Sequence, residues 1–304
     1  MMVLVFYSVE MIVYFIFKNG TIFDYRFKKP FLRISFLFLF SIFLLNSCFF
    51  DNHIYEHQLT KVNGVYYLKE KPYSGIVLTI RDNGYYLSKK FSNKGILNGE
   101  TFYYYENGNI ERTLNYKNNS INGLSSVFFE NENIYQTLNY QNDSLFGNFN
   151  EWLIDGNLFL RGKYFKNRPI ENWYYFIEGD TILIEQYDSI SDLKNLSTSQ
   201  KFSIEKLKSN DSILINIFDS KNNTILSGYY VSKLKEGSFN FNHKKTNLNV
   251  DFRSNIREGK FFLKKDEKIL MDGFFLNGKK NGTWKILDNI RYETIRYKND
   301  FIEN

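Results

Sequence analysis

One cysteine and three histidines are all the soft metal-binding chemistry that 304 residues contain. A single cysteine cannot close an internal disulfide. His53 and His57 stand four apart without a third ligand, and His243 lies alone in the turn-like Asn242-His243-Lys244-Lys245, so no metal site is expected. The chain also lacks a phosphate-cradling glycine loop, a dinucleotide fingerprint and a cysteine–histidine cluster, which leaves no cofactor to expect. There is no basic stripe either. The formal charge is +6, and removing residues 1–47, with five basic and two acidic residues, leaves only +3. Acids and bases alternate along the rest, so nucleic-acid binding has no electrostatic support. What remains for catalysis is carboxylates. Glu106 and Glu111 flank one turn, and Glu151 and Asp155 share a strand. Such pairs can cut glycosidic bonds when separation and pKa suit, but acids beside hairpin turns are ordinarily just solvated.

What the chain does have is a period. Gly75, Gly99, Gly123 and Gly147 recur every 24 residues, and each opens the same string of residue types. Thr137-Leu138-Asn139-Tyr140 repeats Thr113-Leu114-Asn115-Tyr116. Five positions after each glycine stand Ile80, Tyr104, Phe128 and Trp152, with Phe176 in a fifth copy whose opening position is Glu171. Eleven positions after it come Tyr86, Ile110, Ile134, Leu158 and Ile182. Turn glycines recur at Gly84, Gly108 and Gly156, drifting to Gly179. Weaker copies return around Gly237, Gly259 and Gly282.

Aromatic and β-branched residues at these positions favour strands. Asn-Gly at 83–84 and 107–108 suits a tight hairpin turn, and a polar run such as 117–122 reads as the longer link to the next hairpin. The fold class expected is therefore all-β: stacked β-hairpins forming an elongated, twisted antiparallel meander sheet. Eight uninterrupted copies would make a ribbon about 80 Å long, and the polar stretch 189–211 is the place for a bend or break. Aromatics make up 19% of the chain, which a thin sheet needs to cover its faces.

These residues resemble the MORN-repeat variant family, through Lys71-Pro72-Tyr73-Ser74-Gly75, Tyr104-Tyr105-Glu106-Asn107-Gly108 and Asn281-Gly282-Thr283-Trp284. The resemblance covers residues 61–190 well and 212–304 loosely. It implies a binding or scaffolding module, and an antitoxin label carried by some members implies a toxin as an alternative partner.

The N-terminus bears on compartment. Lys28, Lys29 and Arg33 flank an apolar run over 34–45, followed by Leu45-Asn46-Ser47-Cys48. Basic flank, short apolar core and terminal small residues make a secretory signal, and the last four residues resemble a bacterial lipobox with Cys48 as the lipidated residue. The alternative is a cysteine at the end of a transmembrane helix. Residues 1–30 form an extension ahead of the signal, either from a misassigned start or as an extra membrane segment. The organisation expected is 31–47 signal peptide, 48–60 tether, 61–190 five hairpin repeats, 191–211 polar insertion (a short helix or a loose loop) and 212–304 degenerate repeats.

The functional expectation is a non-enzymatic, lipid-anchored protein of the bacterial cell envelope. It would act as an interaction or scaffold module on another envelope protein, with the membrane reached through the lipid. A glycan held by Tyr103, Trp152 and Trp173 is the alternative partner. Gly75, Gly84, Gly99, Gly108, Gly123, Gly147, Gly156, Gly259 and Gly282 are expected to serve the repeat's backbone, not chemistry.

Overall fold

A computed structural model of the protein describes residues 2–6, 11–16, 22–27, 53–288, 291–298 and 301–302. The chain divides into two compact units, Met1–Asn52 and His53–Asn304. In the first unit, where a membrane segment was one expectation for residues 1–30, Met2–Phe6, Met11–Ile16 and Ile22–Phe27 form a three-stranded antiparallel sheet. The signal peptide expected at 31–47 and Cys48 lie outside the described residues.

In the second unit the period becomes a meander. A 14-stranded sheet runs antiparallel from Gly75–Ile80 to Leu193–Ser197. A 10-stranded sheet then runs in chain order from Ser203–Ser209 to Phe301–Ile302. Residues at equal repeat positions take equal places in the ladder. Gly99, Gly123 and Gly147 pair with Tyr116, Tyr140 and Tyr164, and in the second sheet Gly237, Gly259 and Gly282 pair with Phe252, Phe275 and Tyr297. The apolar residues five and eleven places after each glycine close the hairpins opposite one another, as Ile80 with Tyr86, Tyr104 with Ile110, Phe128 with Ile134 and Trp152 with Leu158.

The two kinds of turn are the reverse of the expectation. At the Asn-Gly turn, Gly108 N–H donates to Tyr105 O and Tyr105 N–H to Asn109 O. Only Gly108 has a positive φ there, 89°, so the link is a three-residue loop with a bulge and not a two-residue turn. The two-residue turns lie in the polar runs, where Asn118-Asn119, Asn142-Asp143 and Lys166-Asn167 each hold two successive left-handed residues. Asn and Asp tolerate that conformation, and here they have a second use. Asn119, Asp143 and Asn167 each accept, through Oδ1, the N–H of Leu97, Ile121 and Leu145 in the preceding copy, at 2.6, 2.7 and 2.7 Å. Their own N–H groups donate to the carbonyls of the same three residues. The turns are thus stitched sideways, copy to copy. Asp143→Ala is expected to cost about 1–2 kcal/mol in urea unfolding, through a lost acceptor and a strained left-handed alanine. Asp143→Asn should stay within about 0.5 kcal/mol of the wild type, since amide oxygen serves as well.

These hairpins of the first sheet also carry a bulge at the same place, between Tyr103/Tyr104, Val127/Phe128, Glu151/Trp152 and Tyr175/Phe176. The extra residue on the returning strand turns two consecutive side chains to one face. Phe159 and Leu160, then Ile182 and Leu183, are therefore buried as pairs. This face packs against the second sheet. Phe159 meets Phe241 edge-on at 5.6 Å, and one hydrophobic cluster runs from Phe129 to Tyr297 through both sheets. The repeats accordingly form two stacked sheets and not one ribbon. A sheet with one wet apolar face buries more by folding back, and about 25 cal/mol per Å² of apolar surface favours that. Residues 191–211, expected as a polar insertion, hold the edge strands Leu193–Ser197 and Ser203–Ser209 with the crossing between them. The expected tether is docked as well. His53–Tyr55 pairs parallel with Gly75–Ile80, and Glu56 accepts from Tyr66, Thr79 and Lys90 at 2.6, 2.5 and 2.8 Å.

Candidate functional site

Between the sheets lies a cleft of about 520 Å³, lined by charged and phenolic side chains. Three of its cations sit at one repeat position. Lys235, Arg257 and Lys280 each stand two residues before Gly237, Gly259 and Gly282 and reach inward from successive hairpins of the second sheet. Acids of the first sheet bind Lys235 and Arg257. Lys235 Nζ donates to both carboxylate oxygens of Glu185 at 2.9 and 3.0 Å and to Tyr175 Oη at 2.9 Å. Glu185 also accepts from the phenols of Tyr175, Tyr187 and Tyr230 at 2.9, 3.1 and 2.6 Å. Arg257 donates to Glu151 at 2.6 Å and to Tyr135 at 3.1 Å, while Gln136 donates to the other oxygen of Glu151 at 2.8 Å. Lys280 lies within 5.0–5.6 Å of the ring centres of Phe129, Tyr135, Trp284 and Tyr297, an aromatic cage about its ammonium.

This arrangement controls titration. Burial first, then the charge of Glu185, holds the Tyr175 and Tyr230 phenols well above their ordinary range. Burial and Glu151 push Tyr164 up to about 12. The folded protein therefore keeps protons that the unfolded chain releases near pH 10. Stability is full below pH 10 and falls as pH rises towards 12, by about 1.4 kcal/mol per pH unit for each buried phenol. Alkaline unfolding followed together with tyrosinate absorbance should show the phenols ionising in one cooperative step. Gradual ionisation of all tyrosines near pH 10 with the fold intact would contradict the buried network.

Glu111 and Glu151, among the acids expected to be solvated near turns, are both buried. Burial raises the carboxyl of Glu111 against the lowering effect of Arg112 beside it. Glu151 is engaged by Arg257, and Asp155 pairs with Lys265 at 2.7 Å.

The sequence-expected ligand aromatics separate in space. Trp173 is a correction: it is 5% exposed, and its ring lies on Gly162 with Phe149 stacked at 5.5 Å and Tyr164 edge-on at 4.9 Å. A glycine in a regular strand leaves a hollow that a neighbouring ring fills, so this ring completes the core and lines the cleft wall. Tyr103 is half-buried and bonded to Tyr116, whose phenol burial pushes up to about 12. Trp152 is half-buried at the hairpin-closing position. The nine repeat glycines Gly75, Gly84, Gly99, Gly108, Gly123, Gly147, Gly156, Gly259 and Gly282 all have positive φ, from 68 to 148°. The inward cations were not found from the sequence, although their fixed offset from the weaker repeat glycines was a readable signal.

The outer face of the first sheet is built from the hairpin-closing residues. On the leading strands ordinary alternation carries Tyr105, Phe129 and Ile177 inward, so their neighbours Tyr104, Phe128 and Phe176 point out and are half-buried. Tyr86 and Ile80 at the start of the row are exposed. Tyr86 and Tyr104 lie 6.4 Å apart, and Tyr104 stacks with Phe102 at 6.5 Å.

Residues 97–118 and 121–142 match the MORN repeat variant, two successive copies of the 24-residue unit. No curated protein matches the chain.

Proposed function

We propose that the protein is a non-enzymatic contact module, held on the bacterial cell envelope by a lipid at Cys48, that offers its sheet faces to another envelope component. The single observation supporting it most is the use made of the inward chemistry. Glu151 and Glu185 are bound by cation and phenol or amide partners, so these carboxylates join the two sheets. What is left facing outward is a broad repeated surface. Repeats of this kind are generally associated with interaction at proteins or membranes, which agrees with that use.

The anchor rests on the order of basic flank, apolar run and Cys48. Acyl chains contribute about 0.8 kcal/mol per buried methylene, so more than one chain gives durable attachment. In cells fed a fatty-acid analogue, the wild type should carry label and sediment with membranes, and Cys48→Ser should lose both. Crosslinking in the same cells should join the wild type to a defined envelope component and the Ser variant to it far less. Label retained by Cys48→Ser would overturn the anchor; absence of any specific crosslink would overturn the contact module.

A further inference from the structure

We propose that the outer face of the first sheet binds an extended, uncharged β-1,4-linked glycan along the row Tyr104, Phe128, Trp152 and Phe176. The proposal rests on the reading of the sheet faces as contact surfaces and names the chemistry of what is contacted.

Three features of the face carry it. The first is spacing. These rings occupy one repeat position in successive two-strand units, and neighbouring strands lie ~4.8 Å apart, so the rings recur every ~10 Å across the sheet. That is the disaccharide repeat of a β-1,4-linked chain, so one face of every second sugar meets a ring. Pyranose C–H groups pack on the electron-rich face of an aromatic ring. Ile110, Ile134 and Leu158 fill the strands between, and keep the row apolar where the alternate sugars pass.

The second feature is the flank. Beside the rings, on the same face, runs a row formed by the cross-strand pairs Thr113 with Ser126 and Thr137 with Asn150. Asn150 Nδ2 donates to Thr137 Oγ1 at 3.1 Å, which leaves its second N–H and the oxygens to meet sugar hydroxyls. The third feature is charge. Between Phe102 and Tyr174 these two rows contain a single ionic side chain, Arg161, which is turned over the Phe176 ring at 5.9 Å. A surface of hydroxyl, amide and ring groups complements a neutral polyol. An acidic protein would need cations here, and a nucleic acid still more.

The sheet's twist sets a limit on the form of the ligand. Neighbouring strands rotate by roughly 20–25°, so successive rings turn by about 40–50°. A single chain free to coil can follow such a row. The flat face of a crystalline polysaccharide cannot, and should touch only one or two rings.

The test uses the full chain in detergent micelles. Titration with the β-1,4-linked hexamer of N-acetylglucosamine should show binding roughly tenfold or more tighter than with its dimer, because linked contacts act at high effective concentration. Of three tryptophans, Trp173 and Trp284 are buried, so the fluorescence change on binding should come from Trp152 and disappear in Trp152→Phe while affinity is largely kept. Trp152→Leu retains an apolar side chain in the fold, checked by its melting, and should lose roughly tenfold in affinity for the hexamer. The α-1,4-linked glucose hexamer and crystalline chitin should bind weakly or not at all. The proposal is overturned by any of three results: hexamer and dimer binding alike, the α-linked hexamer binding equally well, or Trp152→Leu binding unchanged. Absence of hexamer binding from a protein that still crosslinks to an envelope partner would overturn the glycan and leave the contact module standing.

Discussion

Lys235→Met is expected to lose about 3–5 kcal/mol of stability at neutral pH, read as a fall in the urea midpoint with an unchanged slope. The reason lies in what stays behind. Glu185 is fully buried, and Lys235 is the cation bonded to it, spanning the gap between the sheets. Three phenols continue to donate to the carboxylate after the change, but they bring no charge. A buried anion without a counter-ion raises the energy of the fold. Glu185→Gln in the same chain keeps an acceptor for the phenols while removing the charge, and should recover most of the loss. A reduction below about 1 kcal/mol for the single variant would mean that water reaches Glu185, and that the sheets are not closed over it.

Trp284→Ala is expected to cost about 3–5 kcal/mol, the range for removing a large ring from a packed core. Trp284 is fully buried, lies on Gly273, and is packed between Phe261 at 5.5 Å and Phe275 at 5.0 Å. Its N–H donates to Phe274 O at 3.1 Å. The glycine and the ring are one device. A Cβ on Gly273 would stand 2.1 Å from the indole, so Gly273→Ala alone should also destabilise, by about 1–3 kcal/mol through overpacking. In Gly273→Ala/Trp284→Ala the clash is gone, and the two losses should sum to less than their separate values. Strict additivity would show that ring and glycine do not share the contact.

The same device explains part of what the sequence could not reveal. Gly162 with Trp173, Gly228 with Phe239 and Gly273 with Trp284 are all eleven residues apart, and each ring covers its glycine. Read singly, Trp173 is an aromatic on a strand, open to a ligand; only its pairing with Gly162 marks it as core. The period, the strands and the facing of residues such as Tyr104 and Ile110 were legible, because they depend on local spacing. The sense of the turns was not: Asn-Gly suits either a two-residue turn or a bulged one, and the lateral bonds of Asn119 and Asp143 come from another copy. Nor was the inward pairing of Phe159 with Leu160, since a bulge breaks the alternation on which strand reading depends. The cleft was hidden for a further reason. Glu185 and Lys235 are 50 residues apart, and Glu151 and Arg257 are 106 apart, distances over which a repeat pattern carries no pairing information.

The cross-sheet bonds run in opposite chain order, Glu185 to Lys235 and Glu151 to Arg257, and this bears on how the gene can change length. Tandem repeats expand and contract by whole-unit duplication and loss, and the sideways stitching of the turns would accept a new copy anywhere. The ion pairs would not. A unit inserted between Glu151 and Glu185 would move one acid by ~10 Å along the sheet while its cation stayed in place. Growth in that stretch must therefore come as matched duplications in both halves, whereas the copies that begin at Gly75 and Gly99 lie outside those two ion pairs. Lineages that differ in copy number are expected to differ at that N-terminal end first.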